Sequence, residues 1–346
     1  MNNDATALWY LTEEETRWAC QRLDPVKIVR EALVLQAEGR TTLPAEAYLG
    51  WTSPSGAAAR SLSMPGYVGG SFEMAGTKII NGCLDNPERG LPRASGLTML
   101  FDRQTARIRC VMASAHVSAL RTAGVTVASA QALLPQKVIT VGVIGAGAIA
   151  RAHIELLARS LPGTAAIVLH DRDPGRAAGL AKEVDALLHA HGIRISLAET
   201  ARDAVLGADL VIPATTTTQG YIAYDWLSKG CVVVNVSLDD VLPDVVVEAG
   251  TLLVDDWALV RDDEHRLLGR MHRAGRVVGP GEDAGAGVRR VDAELGEVFA
   301  GRHPGRYHPD DVILVNPFGL AIEDIALATE VYRIAMREGR GIALPR

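Results

Sequence analysis

The fold is decided by residues 138–160, VITVGVIGAGAIARAHIELLARS. The first of these residues are β-branched and predict a buried strand. The last part places Ile154 and Leu157 on one face, with Leu161 just beyond, at the spacing of a helix. Between strand and helix lies a glycine turn, GAGAIA at 145–150. This order of strand, G-x-G-x-x-A and helix is typical of the first βα unit of a dinucleotide-binding fold.

Each small residue of the turn has a physical role in such a unit. Gly145 permits the tight turn, Gly147 lets the backbone approach a pyrophosphate, and Ala150 lets helix and strand pack closely. The N-terminus of the helix offers unpaired N–H groups to the phosphates. The predicted nucleotide contacts here are Gly145, Ala146, Gly147, Ala148 and Ile149.

A second predicted strand, residues 165–170, ends at Asp171 and Arg172. A carboxylate at this point can accept hydrogen bonds from the ribose hydroxyls of an adenosine and would repel a 2′-phosphate. We therefore expect NAD rather than NADP as the cofactor. Arg172 leaves NADP open, since an arginine here can pair with a 2′-phosphate. Asp171 can also be a plain turn residue before the helix that begins near Pro174.

The composition is that of a globular protein, with 48% hydrophobic and 22% charged residues. A net charge of -6 without a block of basic residues gives no support for binding to nucleic acid or to a membrane surface. The N-terminal residues do not resemble a signal peptide, and no apolar run reaches membrane-spanning length. His189 and His191 have no third ligand nearby, so no metal site is predicted. A cytoplasmic protein is also favoured by the scattered cysteines, which are Cys20, Cys83, Cys110 and Cys231.

Strands and helices alternate through residues 138–255 and predict an α/β fold, a Rossmann-type doubly wound parallel sheet. Residues 43–109 instead contain short β runs broken by Gly, Pro and Ser, after one long helix predicted over residues 12–38. A helix is predicted over residues 291–299.

The chain closes with a strand at residues 312–315 and a helix at residues 322–338. Neither flank of the central segment makes a complete core. We therefore expect residues 1–122 and 312–346 to form one discontinuous α+β domain. The NAD-binding domain of residues 123–311 would be inserted in it.

The polar residues that follow the fourth and fifth predicted strands are candidates for the reaction centre, because ligands of doubly wound sheets bind at the carboxyl ends of the strands. Asp239 and Asp240 follow the fifth strand, where a carboxylate can act as an acid or base or can hold a substrate ammonium group. They can equally be solvated turn residues, since Asp-Asp pairs recur elsewhere in the chain. Cofactor contacts near the nicotinamide are predicted for Thr215, Thr216, Asn235 and Ser237.

Isolated cations in apolar or small-residue settings mark the N-terminal half. They are Arg60, Lys78, Arg93 and Arg121. A buried cation needs a partner. The partner can be a carboxylate of the protein or a carboxylate of a substrate. Convergence of these cations would suit an amino-acid substrate with more than one carboxylate.

The chain resembles the ornithine cyclodeaminase/μ-crystallin family over nearly its whole length. The resemblance is carried by Lys78 in GTKIINGCLDNP, Arg121 in SALRTAGV, the GAGAIA turn and NVSLDD, which ends at Asp240. Further stretches are similar to the subgroup of dehydrogenases that makes L-2,3-diaminopropionate for siderophores and peptide antibiotics. These stretches are RASG (93–96), YIAYDWLSKG (221–230), LLVDDW (252–257), AELG (293–296) and ILVNPFGLAIEDIA (313–326).

The resemblance implies an NAD-dependent oxidative hydrolysis of N-(2-amino-2-carboxyethyl)-L-glutamate to L-2,3-diaminopropionate and 2-oxoglutarate. It implies Asp240 as the catalytic base, with Lys78 and Arg121 on substrate carboxylate and Lys78 able to assist proton transfer. It also implies a homodimer formed by the N-terminal half.

Two alternatives stay open at this point. One is an ornithine or lysine cyclodeaminase or an imine reductase on the same scaffold. Ornithine cyclodeaminases carry a glutamate just before a Met-Pro pair, whereas this chain reads RSLSMP at 60–65. Loss of that acid, together with Arg60, argues against a substrate with a basic tail. The other alternative is a non-catalytic, nucleotide-dependent binding protein of the μ-crystallin type.

Overall fold

The structure, a computed structural model, describes residues 7–135 and 139–345. The chain divides into two compact units. The first contains the residues up to Arg121 and from Leu320 onward, and the second is Thr122–Gly319. Within the described ranges, no helix has both the length and the apolar character needed to cross a membrane.

The elements before the glycine turn are mostly strands. In chain order they are β1 (Leu8–Leu11), α1 (Glu13–Cys20), α2 (Pro25–Ala37), β2 (Thr41–Thr42), β3 (Ala47–Thr52), β4 (Ala58–Val68), β5 (Met74–Cys83), β6 (Ala94–Phe101), β7 (Ile108–Ala113) and α3 (Ala115–Leu133).

Strands and helices alternate in the second unit. They are β8 (Ile139–Ile144), α4 (Ala148–Ser160), β9 (Thr164–His170), α5 (Pro174–Ala190), β10 (Arg194–Leu197), α6 (Ala201–Val205), β11 (Leu210–Pro213), β12 (Val232–Val234), α7 (Pro243–Glu248), β13 (Thr251–Val254), α8 (Trp257–Asp262), α9 (Leu267–Arg273), β14 (Val277–Val278), β15 (Arg289–Arg290), β16 (Ala293–Glu294), α10 (Leu295–Phe299) and β17 (Ile313–Asn316). The chain then returns to the first unit through α11 (Ala321–Arg337) and β18 (Ile342–Leu344).

The helix predicted over residues 12–38 is wrong as one element, because the structure has two helices there. α1 ends at Cys20, and α2 begins at Pro25 with Asp24 as its N-cap, whose carboxylate accepts a hydrogen bond from the N–H of Lys27. Proline lacks an N–H and clashes inside a helix, but it fits the first helical position.

The sheet of the first unit has the strand order β18-β1-β7-β6-β5-β4-β2, with β3 also paired to β4. Its central pairs, from β4 to β7, are antiparallel. α11 packs on this sheet: Ile325 lies against Gly66 and Gly76, where a side chain would crowd it. All six residues of β3 are exposed, including Tyr48, Leu49 and Trp51.

The sheet of the second unit is parallel throughout, in the order β10-β9-β8-β11-β12-β17-β13-β16. This confirms the predicted doubly wound α/β fold. The strand order reverses between β8 and β11, which is the point where such sheets bind their ligands. Val138, predicted to begin the first strand of this sheet, lies outside the described residues.

Two details of the prediction for the second unit are wrong. The strand predicted at residues 312–315 was assigned to the discontinuous domain, but it corresponds to β17, which lies between β12 and β13 in the parallel sheet of the second unit. The chain therefore leaves the second unit after Gly319 and not at residue 311. The predicted helix at residues 291–299 is helical only from Leu295, because Ala293–Glu294 pairs with β13 as β16.

Candidate functional site

The glycine turn lies between β8 and α4. Gly145 has φ +100°, in the region that favours glycine, and a Cβ on it would lie 2.5 Å from the carbonyl oxygen of Ala214. Its N–H donates to the carbonyl of His170 at 2.7 Å. Any larger residue here would separate the turn from the end of β11, so Gly145 sets the shape of the loop.

Gly147 is the N-cap of α4 and leaves the first turn of that helix without a side-chain cap. A Cβ on Gly147 would meet no atom of the described residues within 4 Å. Packing within the protein therefore gives no reason for glycine at this position, whereas close approach of a ligand does. Ala148 and Ile149 open the helix, and its free N–H groups fit the pyrophosphate of a dinucleotide.

Asp171 follows β9 and faces the glycine turn. Its Oδ2 accepts a hydrogen bond from the N–H of Ala146 at 2.7 Å, and its Oδ1 accepts one from the N–H of Asp173 at 2.9 Å. Arg172 is exposed beside it. Both residues thus lie at the carboxyl end of β9, next to the turn, which is where an adenosine ribose binds in this fold.

Asp240 has the environment of a candidate base. Its side chain is fully buried, and Oδ1 accepts hydrogen bonds from the hydroxyls of Thr215 at 2.6 Å and Tyr221 at 2.9 Å. Oδ2 is buried too, and it has no hydrogen bond from any residue that the structure describes. Burial raises the pKa of Asp240, although the hydroxyls of Thr215, Tyr221 and Ser237 oppose that effect.

The loops after β11 and β12 are tied together around this carboxylate. The hydroxyl of Ser237 accepts from the N–H of Thr215 at 2.7 Å and donates to the carbonyl of Pro213 at 2.9 Å. Thr216 is exposed at the same loop. Asn235 is buried, and its amide donates to the side chain of Asn316 at 2.8 Å.

Tyr221 was missed by the sequence analysis as a functional residue. Burial and the charge of Asp240 both raise the pKa of its hydroxyl, so it stays protonated and remains a donor. The available signal was its place in YIAYDWLSKG, one of the stretches that carry the family resemblance.

Asp239 and Asp240 do not form one acidic pair. Asp239 accepts hydrogen bonds from Arg266 at 2.9 Å, from the N–H of Leu267 at 3.0 Å and from Arg270 at 3.2 Å. The preceding residue, Leu238, has φ +74°. Asp239 thus anchors α9, and only Asp240 points to the hydroxyls of Thr215 and Tyr221.

The first unit holds a buried cluster of four charges, here called the charge cluster: Lys78, Arg121, Glu323 and Asp324. Nζ of Lys78 lies 2.6 Å from Oδ2 of Asp324, and Nε of Arg121 lies 3.3 Å from the same oxygen. Nη1 of Arg121 donates to Glu323 at 2.9 Å. The predicted convergence of Lys78 and Arg121 is therefore found, and each has a protein carboxylate as partner.

Lys78 is 1% exposed and lies in the middle of β5. Nζ also donates to the hydroxyl of Ser118 at 3.3 Å. Burial lowers the pKa of Lys78, and Asp324 opposes the shift. Thr98, directly opposite Lys78 on β6, is fully buried, and its hydroxyl has no hydrogen bond to the described residues. The cluster thus borders a polar atom that a ligand could satisfy.

Glu323 and Asp324 were also missed by the sequence analysis. The signal was two adjacent acids in an otherwise apolar helical stretch, GLAIEDIALA. Buried carboxylates need partners as much as buried cations do.

Arg60 and Arg93 lie outside the charge cluster. Arg60 is opposite Gly82 on β5, four residues from Lys78, which places it on the same face of the sheet roughly 13 Å along the strand. Partial desolvation and the nearby charge of Arg60 both lower the pKa of Arg93. Neither arginine forms an ion pair with a carboxylate in the described part of the chain.

Residues 9–339 match the model of the ornithine cyclodeaminase/mu-crystallin family. The chain is 31% identical to the N-((2S)-2-amino-2-carboxyethyl)-L-glutamate dehydrogenase of Staphylococcus aureus, over 92% of both chains.

CmnK and a Δ1-pyrroline-2-carboxylate reductase are among the solved structures that are similar to this chain. CmnK shares 37% identity and a TM-score of 0.88 over 98% of both chains. The Δ1-pyrroline-2-carboxylate reductase of Thermococcus litoralis, solved with NADH and L-proline, shares 23% identity and a TM-score of 0.84, over 97% of this chain and all of that one.

Proposed function

The chain belongs to the ornithine cyclodeaminase/mu-crystallin family, and we propose that it is an NAD-dependent dehydrogenase of N-(2-amino-2-carboxyethyl)-L-glutamate. The products would be L-2,3-diaminopropionate, 2-oxoglutarate and NADH. The observation that carries this proposal is the Asp240 carboxylate, with two hydroxyl donors on one oxygen and no hydrogen bond on the other. The name of the Staphylococcus aureus relative supports the choice of substrate.

NAD, when bound, would accept hydride from the glutamate α-carbon. The glycine turn would hold its pyrophosphate, and Asp171 would accept hydrogen bonds from the adenosine ribose. The other residues proposed to contact it are Arg172, Thr215, Thr216, Asn235 and Ser237.

Asp240 would manage the protons of the reaction. The substrate nitrogen must be uncharged for its lone pair to assist loss of hydride, so a base has to take its proton. Oδ2 of Asp240 is suited to that task, because Thr215 and Tyr221 occupy only Oδ1. A carboxylate whose pKa is raised by burial accepts a proton more readily than an exposed one.

The reaction balances with one water. Loss of hydride leaves an imine between the glutamate α-carbon and the nitrogen. Water adds to that carbon, and the C–N bond breaks to give the ketone of 2-oxoglutarate and the free amine of diaminopropionate. One proton is released for each NADH formed. Asp240 would accept a proton from the amine or from water and would return one to the leaving nitrogen.

The cations of the first unit would bind the three carboxylates of this substrate. Lys78 and Arg121 are proposed to hold one of them, with Lys78 able to assist proton transfer. Arg60 and Arg93, which have no carboxylate partner among the described residues, are proposed to bind the others. Ornithine or lysine would bring an ammonium group toward these arginines and would be repelled.

The test is an assay of the purified protein with NAD⁺ and N-(2-amino-2-carboxyethyl)-L-glutamate. NADH formation is followed by absorbance, and products are identified by mass spectrometry. We expect NADH, 2-oxoglutarate and diaminopropionate in equal amounts. Formation of proline from ornithine, or pipecolate from lysine, without net NADH and without turnover of the proposed substrate, would assign a cyclodeaminase instead. NAD binding without any turnover would favour the non-catalytic alternative.

Asp240→Asn tests the role of the carboxylate. We expect kcat to fall by about 10²–10⁴, the usual contribution of a general base. The Kd for NAD, from fluorescence titration, should change by less than about threefold, since the glycine turn is untouched. Tyr221→Phe removes one of the two hydroxyl donors and should lower kcat by a smaller factor. An Asp240→Asn enzyme with normal kcat would exclude Asp240 as the base.

A cytoplasmic homodimer that supplies diaminopropionate to siderophore or peptide-antibiotic biosynthesis is the setting that the resemblance implies. The exposed apolar residues of β3 support self-association of the first unit.

A further inference from the structure

Two carboxylates on α11 face the two buried cations that are proposed to bind substrate. Glu323 and Asp324 are both 0% exposed, although the helix around them is apolar. Ionised carboxylates are costly to bury without partners. Their partners are 246 residues away for Asp324 and 202 residues away for Glu323. The pairing therefore exists only in the folded first unit.

The two carboxylates do not have the same contacts. Oδ2 of Asp324 lies 2.6 Å from Lys78 and 3.3 Å from Arg121, so one oxygen faces both cations. Glu323 accepts a hydrogen bond from Nη1 of Arg121 at 2.9 Å. Two cations this close to a common oxygen would repel each other without the negative charge between them.

We propose that Asp324 is a positioning residue: its Oδ2 holds the Lys78 ammonium and the Arg121 guanidinium side by side, and its charge keeps Lys78 protonated for carboxylate binding. The substrate part of this inference rests on the function proposed above.

Every charged group around Lys78 bears on its protonation. Asp324 faces it from α11, Arg121 from α3, and Glu46 from the segment before β3. Glu323, also on α11, completes the charge cluster through its hydrogen bond from Arg121. Ser118 on α3 and Thr98 on β6 lie beside Lys78 and are uncharged. Burial and Arg121 favour the neutral amine, whereas Asp324 and, more weakly, Glu46 favour the ammonium. Asp324 is therefore the main opponent of deprotonation.

The chain is well suited to a direct test, because it has only five lysines. They are Lys27, Lys78, Lys137, Lys182 and Lys229. In full-length protein labelled with ¹³Cε-lysine, the signal of Lys78 can be assigned as the one absent from Lys78→Arg. Its titration midpoint is then measured by NMR as the pH is raised, with no substrate present.

We expect Asp324→Asn to lower the midpoint of Lys78 by at least one pH unit, which is about a tenfold loss of proton affinity. Glu323→Gln is the matched control: it removes a buried charge from the adjacent residue but no contact with Lys78. Glu323→Gln should change the proton affinity of Lys78 by less than about threefold. An unchanged midpoint in folded Asp324→Asn, or an equal shift in Glu323→Gln, would overturn the assignment.

Asp324→Glu covers the case in which Asp324→Asn does not fold. It keeps the charge but displaces the carboxylate by one methylene. The Lys78 midpoint should then stay close to that of the native protein, while KM for the tricarboxylate substrate rises about tenfold or more with a smaller change in kcat. An unchanged KM would show that the position of the oxygen is unimportant and would refute the positioning role.

The positioning role of Asp324 and the proposed substrate can be refuted independently of each other. In one outcome, Asp324→Asn shifts the Lys78 midpoint strongly, but the native enzyme does not turn over N-(2-amino-2-carboxyethyl)-L-glutamate. That outcome would support the coupling of Asp324 to Lys78 and refute the proposed substrate. Normal turnover by the native enzyme, with unchanged midpoints in the variants, would do the reverse.

Discussion

Asp171 is proposed both to bind the adenosine ribose and to repel a 2′-phosphate, and its contacts place it for both. Its carboxylate is fixed against the glycine turn by the N–H of Ala146, and it lies where an adenosine ribose would bind. The same negative charge would repel a 2′-phosphate. We therefore expect the preference between NAD and NADP to depend on this side chain and on its exposed neighbour Arg172.

Asp171→Ala should weaken NAD binding about tenfold and narrow its advantage over NADP, because a ribose acceptor and a source of repulsion are both lost. Fluorescence titration with each nucleotide measures this. Asp173→Ala is the control: it removes the N-cap of α5 and should cost about 1 kcal/mol of stability without changing the preference. A native enzyme that already prefers NADP would show that Asp171 has been misassigned.

Among single residues, the sequence identified charged groups that need partners, but it did not identify all of those partners. Lys78, Arg121 and Asp240 are conspicuous because of their surroundings and the family motif. Asp324 and Tyr221 lie in stretches that carry the family resemblance, but their contacts with Lys78 and Asp240 are known only from the structure. Lys78 and Asp324 are 246 residues apart, and no local pattern fixes which buried carboxylate meets which cation. The roles assigned to these residues in the reaction stay predictions.

Helices α3 and α4 are joined by a buried histidine. His153 on α4 is fully buried, with Nε2 2.8 Å from the hydroxyl of Thr126 on α3 and Nδ1 2.7 Å from the carbonyl of Ile149. Burial lowers its pKa to about 4. A neutral ring with the proton on Nδ1 satisfies both contacts, so protonation disturbs a bridge between two elements.

This bridge predicts a pH dependence of stability. As the pH falls below about 6.5, His153 binds a proton in the unfolded chain, but in the folded chain it does so only near pH 4. Its contribution to the free energy of unfolding is thus fully present above the unfolded pKa. This contribution is lost as the pH falls from about 6.5 to about 4, and the loss is on the order of 3 kcal/mol.

Urea unfolding at a series of pH values tests this. His153→Gln keeps a donor and an acceptor but does not titrate, so its stability should fall less steeply from pH 6.5 to pH 4.5 than that of the native protein. His189→Gln, at the exposed end of α5, should leave the slope unchanged. Equal slopes for the native protein and His153→Gln would contradict the prediction.

At the scale of elements, prediction succeeded where caps and glycines mark an end. α5 begins after Asp173, and Gly192, just beyond it, has φ +69°. It failed where a break lies inside a helical pattern, as at Pro25, or where a short strand forms only by pairing. β16 is two residues long and exists because β13 lies beside it.

The strand β3 is the main surface feature of the first unit. Tyr48, Leu49 and Trp51 are 64%, 64% and 49% exposed on a strand whose only pairing in the described residues is with β4. Exposed apolar edge strands of this kind associate with other chains unless they are covered. We expect a second copy of the chain to cover this one.

Light scattering should therefore give a mass of twice 36.8 kDa. Leu49→Glu combined with Trp51→Glu should give 36.8 kDa, because two charges would have to be buried. Leu197→Glu places a charge on a leucine of β10 in the second unit that is as exposed as Trp51, and it should leave the dimer intact. A native protein that scatters as a monomer would disprove a dimer.

The doubly wound sheet of the second unit followed from local alternation, because its central strands are hydrophobic and a helix or turn follows each of them. The end of the nucleotide unit was misplaced because β17 is a strand of the same kind as its neighbours. Its place between β12 and β13 is set by tertiary pairing, which the order of elements along the chain does not reveal.

The division of the chain also bears on the order in which the protein is built. Synthesis proceeds from the N-terminus. Thr122–Gly319 is continuous, so the whole of the second unit is synthesised before the ribosome reaches Leu320. The first unit has to wait for α11, since Glu323 and Asp324 neutralise Lys78 and Arg121. The part of the protein that is made first is thus the last that can complete its core, and a nascent chain carries two uncompensated cations until its final helix emerges.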